Sequence, residues 1–75
     1  MIDLVGKTAI VTGGARGQGA QEVRKLCKAG AAVIIADILV EEGAALADSL
    51  NSGGGQARFF HLDVSNPDQW VSVVN

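Results

Sequence analysis

The residues best suited to chemistry lie in a glycine-rich octapeptide, TGGARGQG, which runs from Thr12 to Gly19. It lies between an apolar, β-branched run and a segment with helical periodicity, so we expect it to form a strand-to-helix turn. Backbone N–H groups and the positive end of a helix dipole converge at such a turn and favour a bound anion. Glycine is needed because a β-carbon would keep a pyrophosphate away from the backbone. The octapeptide therefore predicts a diphosphate-binding loop.

Spacing separates three kinds of glycine loop. Gly14 and Gly19 have the separation of a P-loop, but Ala20 stands where that motif needs its lysine. The ordinary Rossmann pattern G-x-G-x-x-G would begin at Gly17, and it meets Glu22 in place of its third small residue. The pattern that remains is T-G-x-x-x-G-x-G.

Three strand-like runs recur about every 25 residues, and each is followed by a helical or potentially helical segment. The strands are predicted at Thr8–Thr12, at Ala32–Ala36 with its end at Asp37, and at Ala57–Leu62. The first two runs are apolar and β-branched without alternation, as in strands covered on both faces. Strands that alternate with helices predict right-handed βαβ units and a parallel sheet.

Two helices are predicted between these strands. The first runs from about Gln18 to Ala29, and Gly30 supplies a left-handed stop. The second carries an apolar stripe that includes Gly43, whose presence inside a helix we attribute to close packing against the sheet. Ser65, followed by Pro67 and Asp68, resembles the start of a third helix, which continues through Trp70 and Val74.

The glycine pattern resembles that of the short-chain dehydrogenase/reductase family, which it matches at Thr12, Gly13, Gly17 and Gly19. An acidic residue at the end of the second strand and an Asp-Val pair after the third extend the likeness. The resemblance implies that residues 1–75 are a partial dinucleotide-binding domain. The expected fold is α/β: a Rossmann-type βαβαβ half with a parallel sheet of strand order 3-2-1, truncated at the start of the helix after strand 3.

By the same resemblance, ten residues are predicted to contact the cofactor: Thr12, Gly13, Arg16, Gly17, Gln18, Gly19, Asp37, Ile38, Asp63 and Val64. Asp37 would accept hydrogen bonds from the adenosine ribose hydroxyls, and Ile38 would flank the adenine. Asp63 and Val64 would bind the adenine edge. Gln18 departs from the family, which usually has an aliphatic residue there. No metal site is predicted.

Asp37 predicts NAD over NADP as the cofactor, because its carboxylate would face the 2′-phosphate of NADP at close range. Arg16 is a counterargument, since a basic residue before the second glycine often accompanies NADP preference in this family. We give Asp37 the greater weight, because Arg16 can turn into solvent or lie along the pyrophosphate.

The family uses Asn, Ser, Tyr and Lys to move hydride between NAD(P) and an alcohol or carbonyl, with the tyrosinate as general base. This chain has no tyrosine, so no catalytic residue is assigned and the 75 residues alone are predicted to be inactive. The leading hypothesis is the NAD-binding segment of an oxidoreductase acting on a secondary alcohol or ketone. A non-enzymatic nucleotide-binding or subunit-pairing module is the alternative. A nucleotide-sugar epimerase fits less well, because it carries G-x-x-G-x-x-G.

Composition limits the partners and the compartment. Six basic and eight acidic residues give a net charge of -2, and the basic ones are scattered, which argues against nucleic acid. No signal peptide is evident, and the longest apolar run, Ala31–Ala36, is too short to span a membrane. The single cysteine, Cys27, suits a reducing compartment, so we expect a cytoplasmic protein.

The family's strand order places the first strand centrally. Its unpaired edge predicts a weakly stable or self-associating chain, with a homo-oligomer or an edge-strand partner completing the sheet.

Overall fold

The computed structural model describes residues 3–62 and 71–74. In chain order its elements are β1 (Thr8–Thr12), α1 (Gly17–Lys28), β2 (Ala32–Asp37), α2 (Val40–Ser52), β3 (Gln56–His61) and β4 (Val71–Val74). The strands form one sheet in the order β3-β2-β1-β4. The three predicted strands and the first predicted helix are present within one residue of their expected ends, and the second predicted helix is present as α2. The predicted α/β class and the 3-2-1 order are therefore confirmed.

The first three strands pair in parallel, and Ile34 of β2 lies opposite Ile10 of β1 and Arg58 of β3. Both strand connections cross the sheet in the same direction. Because such crossovers are right-handed, they place α1 and α2 on the same face. The carboxyl ends of β1, β2 and β3 consequently meet at one edge of the sheet.

The hydrophobic core lies between this face and the two helices. Its largest fully buried apolar side chains are Val11, Val23, Val33 and Ile35. Alanines on the strands and helices complete the cluster, and their small side chains let the helices approach the sheet closely. Within the described ranges, neither helix combines the length and the apolar character needed to cross a membrane.

The opposite face of the sheet differs from the sequence prediction. Strand alternation places Ile10, Ile34 and Phe60 there; the two isoleucines are only partly buried, and Phe60 is 54% exposed. The apolar runs predicted strands covered on both faces. That expectation is wrong for the described residues, because both helices pack on one side.

The carboxyl-terminal end also differs from the prediction. Residues 71–74 form strand β4, antiparallel to β1, where the sequence predicts a helix. The reason is non-local: the second edge of β1 offers unpaired N–H and C=O groups, and three of the four residues of β4 are β-branched valines that favour a strand. The expectation of an unpaired β1 edge is therefore wrong as well. Residues 65–70, where the helix was predicted to begin, lie outside the described residues.

Helix α1 ends as the sequence predicts. Ala29 is its C-cap, and Gly30 follows with a φ of 103°, a conformation that side chains rarely adopt. The Gly30 N–H donates to the Cys27 carbonyl at 3.0 Å, and the Ala31 N–H donates to the Leu26 carbonyl at 3.1 Å. These bonds satisfy the last carbonyls of the helix and direct the chain into β2.

Candidate dinucleotide-binding site

The glycine loop links the end of β1 to the start of α1. Gly13 and Gly17 have φ values of 68° and 63°, in the left-handed region that favours glycine. The Gly13 N–H donates to the Ala36 carbonyl at 2.8 Å, which fixes the start of the loop against β2. Two of the glycines in the predicted signature are thus required by the backbone path itself.

Gly14 is buried where the loop passes between β1 and α1. A β-carbon there would lie 3.0 Å from Cγ2 of Val23 and 3.2 Å from Cγ1 of Val11. Close packing of strand and helix therefore favours a residue without a side chain at this position. Gly14 was not predicted among the site residues, although the Gly13-Gly14 pair was the signal that could have identified it.

The first turn of α1 has no side-chain cap for its N–H groups. Its N-cap, Arg16, is extended with a φ of -157° and makes no side-chain capping bond, and the turn contains no acidic residue. Gly17 and Gln18 are exposed, and Gly19 is buried. A helix start without a side-chain cap leaves its N–H groups and its dipole available to an anion. Because the Gln18 side chain faces solvent, its departure from the family pattern does not disturb the core.

Asp37, the last residue of β2, is only 8% exposed. One carboxylate oxygen, Oδ2, accepts the N–H of Ala15 in the glycine loop at 3.0 Å. The other, Oδ1, accepts the N–H of Leu39 at the same distance. An ionised carboxylate has about four acceptor positions, so each oxygen keeps one for a further donor. The carboxylate is therefore fixed in place, and these two bonds leave two of its acceptor positions unused.

The residues after β2 and β3 lie next to Asp37. Ile38 is 55% exposed, and an apolar side chain at that exposure offers a surface for a flat ring. The Leu62 N–H donates to the Asp37 carbonyl at 3.0 Å, which brings the end of β3 to the same edge. Asp63 and Val64, the predicted adenine contacts, lie outside the described residues.

The predicted site residues that the structure describes thus gather at one edge of the sheet. Thr12 and Gly13 pack against the end of β2, and Asp37 is bonded to the loop itself. Arg16 is exposed at the helix start. Sequence reasoning missed Ala15, because alanine is not a residue type that indicates a role in a binding site. Its role lies in its backbone N–H, which only the folded chain brings to Asp37.

This arrangement, a parallel sheet with a glycine loop at a helix start and an acid ending the next strand, defines a Rossmann-type dinucleotide-binding architecture. The family model described as short chain dehydrogenase matches residues 7–75. The chain therefore belongs to the short-chain dehydrogenase family.

Individual relatives agree. The chain is 50% identical over 72 residues to a 3-alpha-(or 20-beta)-hydroxysteroid dehydrogenase of Mycobacterium tuberculosis. The matched region covers 96% of this chain and 26% of that protein. It is 42% identical over 74 residues to a trans-4-hydroxycyclohexanecarboxylate dehydrogenase of Sinomonas cyclohexanicum, covering 91% and 29% respectively. The chain thus spans about a quarter of the length of these curated relatives.

A solved structure is also similar. A metagenomic short-chain oxidoreductase in complex with NADP superimposes with a TM-score of 0.79 at 38% sequence identity. The match covers 84% of this chain and 28% of that one. The likeness extends through most of the chain.

Proposed function

We propose that this chain is the NAD-binding segment of an oxidoreductase that transfers hydride between NAD(H) and a secondary alcohol or ketone. One observation carries the proposal: a glycine loop with an uncapped helix start lies beside a buried carboxylate, Asp37, at the end of the neighbouring strand. The loop and the carboxylate suit two different parts of one dinucleotide, the diphosphate and the adenosine ribose.

The loop would hold the diphosphate. Because Gly13 and Gly17 have no side chains, phosphate oxygens can approach the backbone closely. The first-turn N–H groups of Gly17, Gln18 and Gly19 and the positive end of the helix dipole would supply the donors. The fit is supported by the left-handed backbone at Gly13 and Gly17 and by the absence of a side-chain cap at Arg16.

Asp37 would hold the adenosine ribose. Each of its oxygens accepts one backbone N–H and keeps one acceptor position, which matches the two hydroxyl donors of a ribose. Ile38 would lie against the adenine, and Thr12 would line the floor of the site. By family resemblance, Asp63 and Val64 would complete the adenine pocket.

The choice of NAD over NADP follows from the fixed position of Asp37. Since two backbone N–H groups hold its carboxylate, the side chain cannot turn away from a 2′-phosphate without breaking both bonds. Like charges in a recognition site cost several kcal/mol, roughly a hundredfold or more in affinity. Arg16 is exposed and could favour NADP, and two similar structures are complexes with NADP. Our proposal gives the buried carboxylate the greater weight.

The nicotinamide ring, when bound, supplies the hydride acceptor or donor. The residues of this chain would orient the cofactor, and the segment alone would not turn over substrate, because the chain has no tyrosine to act as the family's base. The substrate would be a small molecule with a hydroxyl or carbonyl group, which agrees with relatives named for a hydroxysteroid and a hydroxycyclohexanecarboxylate. We further propose a cytoplasmic protein that acts as a homo-oligomer.

Calorimetric titration of the chain with NAD and with NADP tests the proposal. NAD is expected to bind roughly a hundredfold more tightly than NADP, and Asp37→Ala is expected to shrink that ratio to within about tenfold. Asp48→Ala removes the same charge from an exposed position on α2 and should leave the ratio unchanged. No binding of either dinucleotide by the folded chain would contradict the proposed site. An unchanged ratio in Asp37→Ala would contradict the role of Asp37.

A further inference from the structure

The hydrogen bond between Asp37 and Ala15 joins two separate parts of the candidate site. It spans 22 residues of sequence, is buried, and has an N···O distance of 3.0 Å. The bond from the Leu39 N–H to the same carboxylate spans only two residues and is a local turn contact. The bond to Ala15 connects the end of β2 to the glycine loop through a side chain.

We propose that Asp37 is a positioning residue for the glycine loop, in addition to the ribose-binding role proposed above. Its carboxylate would hold Ala15, and with it the middle of the loop, at a set distance from the end of β2. The ribose site and the diphosphate site would then move as one rigid unit. The ligand side of this inference rests on the proposed function, whereas the effect on the loop does not.

The bonding pattern of the loop supports this role. The part of the loop between β1 and α1 begins at Gly13, whose N–H donates to the Ala36 carbonyl at 2.8 Å. Its last residue, Arg16, begins the helix by accepting the Ala20 N–H at 3.3 Å. Ala15 lies between these points, and its N–H donates to a charged acceptor away from water. Hydrogen bonds to ionised groups in such surroundings are among the strongest in proteins.

The consequence for binding is preorganisation. A dinucleotide joins its ribose and its diphosphate through short covalent links, so the protein must present the two subsites at a matching separation. A loop already held to Asp37 need not be ordered when the cofactor binds, which reduces the entropic cost of association. Asp37 variants would therefore weaken the diphosphate subsite as well as the ribose contact.

Amide hydrogen exchange of the cofactor-free chain, followed by NMR, provides the test. In Asp37→Ala the Ala15 amide is expected to exchange about ten- to a hundredfold faster than in the wild type. The core amides of Val11 and Ile35 should keep their protection, which shows that the variant is folded. The charge-matched control, Asp48→Ala, should leave Ala15 unchanged. Acceleration at Leu39 alone, with Ala15 unaffected, would overturn the proposal, since a purely local turn predicts that result.

A second measurement needs no variant and so does not depend on the folding of Asp37→Ala. In the wild-type chain, a through-hydrogen-bond scalar coupling should connect the Ala15 nitrogen to the Asp37 carboxylate carbon. Its absence from a spectrum that resolves such couplings across the β1–β2 ladder would overturn the inference. Both readouts use the chain without cofactor. A failure to bind NAD would therefore contradict the proposed function alone.

Discussion

Gly43 of α2 lies directly against the aromatic ring of Phe59 in β3, so that a β-carbon at residue 43 would overlap the ring. This contact confirms the explanation predicted for a glycine inside a helix. It sets the separation of α2 from the sheet. The helix follows Asp37 and Ile38 closely in the chain. The packing of one glycine thus helps to hold the strand end of the candidate site in place.

Replacing Gly43 with alanine should destabilise the chain, although alanine is the better helix former. The gain in helix propensity is about 1 kcal/mol. Forcing the Phe59 ring aside costs typically about 1–3 kcal/mol, so we expect a net loss of about 1 kcal/mol or more. Urea unfolding measures the change. Gly53→Ala is the matched control, because a β-carbon there meets only ordinary contacts of 3.6 Å or more at a negative φ. A stabilised Gly43→Ala variant would show that the ring moves freely.

Asn51, near the end of α2, binds the start of β3 through both ends of its amide. Its Nδ2 donates to the Ala57 carbonyl and its Oδ1 accepts the Ala57 N–H, each at 2.8 Å. Asn51→Ala should therefore lower the free energy of unfolding by about 1–2 kcal/mol, measured in urea. Asn51→Asp keeps the acceptor but sets a carboxylate oxygen against the Ala57 carbonyl, so its loss should be at least as large. Equal stability of all three proteins would mean that water replaces the two hydrogen bonds between Asn51 and Ala57.

Arg16 should matter less to cofactor choice than Asp37. Its side chain is exposed and makes no capping bond to the helix. Arg16→Ala is expected to change NAD affinity by less than about fivefold and to weaken NADP somewhat more, since an exposed charge contributes about 1 kcal/mol or less. Titration calorimetry at two salt concentrations measures both. A large loss of NAD affinity would place Arg16 on the diphosphate.

Proline in β4 should expose the edge of β1. In an antiparallel pair, alternate N–H groups point to the partner strand, so either Ser72→Pro or Val73→Pro must remove a ladder bond to β1. That variant is expected to self-associate more strongly with rising concentration, as measured by sedimentation velocity. Val73→Thr keeps the β-branched shape and serves as the control. If both proline variants sediment as the control does, pairing by β4 is not what protects β1.

Local signals were sufficient to predict the fold from β1 to β3. The glycine loop, the strand end at Asp37 and the stop at Gly30 each depend on residue types whose backbone preferences act over a few positions. The stripe through α2 predicted its buried side, where Gly43 and Leu46 pack. Those signals agree with one another, as expected of a sequence that specifies one fold.

The features that the sequence did not predict are non-local. Residues 71–74 follow a plausible helix start, and only the neighbouring edge of β1 explains their strand pairing. The bonds of Ala15 to Asp37 and of Asn51 to Ala57 join backbone groups whose residue type carries no signal. The roles of Asp63 and Val64 stay predictions.

The one-sided packing of the sheet makes the described chain an amphiphile. One surface is wetted by the charged residues of two helices, and the other presents Ile10, Ile34 and Phe60 between polar neighbours. A protein with one such apolar face is expected to adsorb at oil-water boundaries and on hydrophobic resins. A dye whose fluorescence increases in apolar surroundings should therefore bind the uncovered face of the sheet in the native protein, without any unfolding.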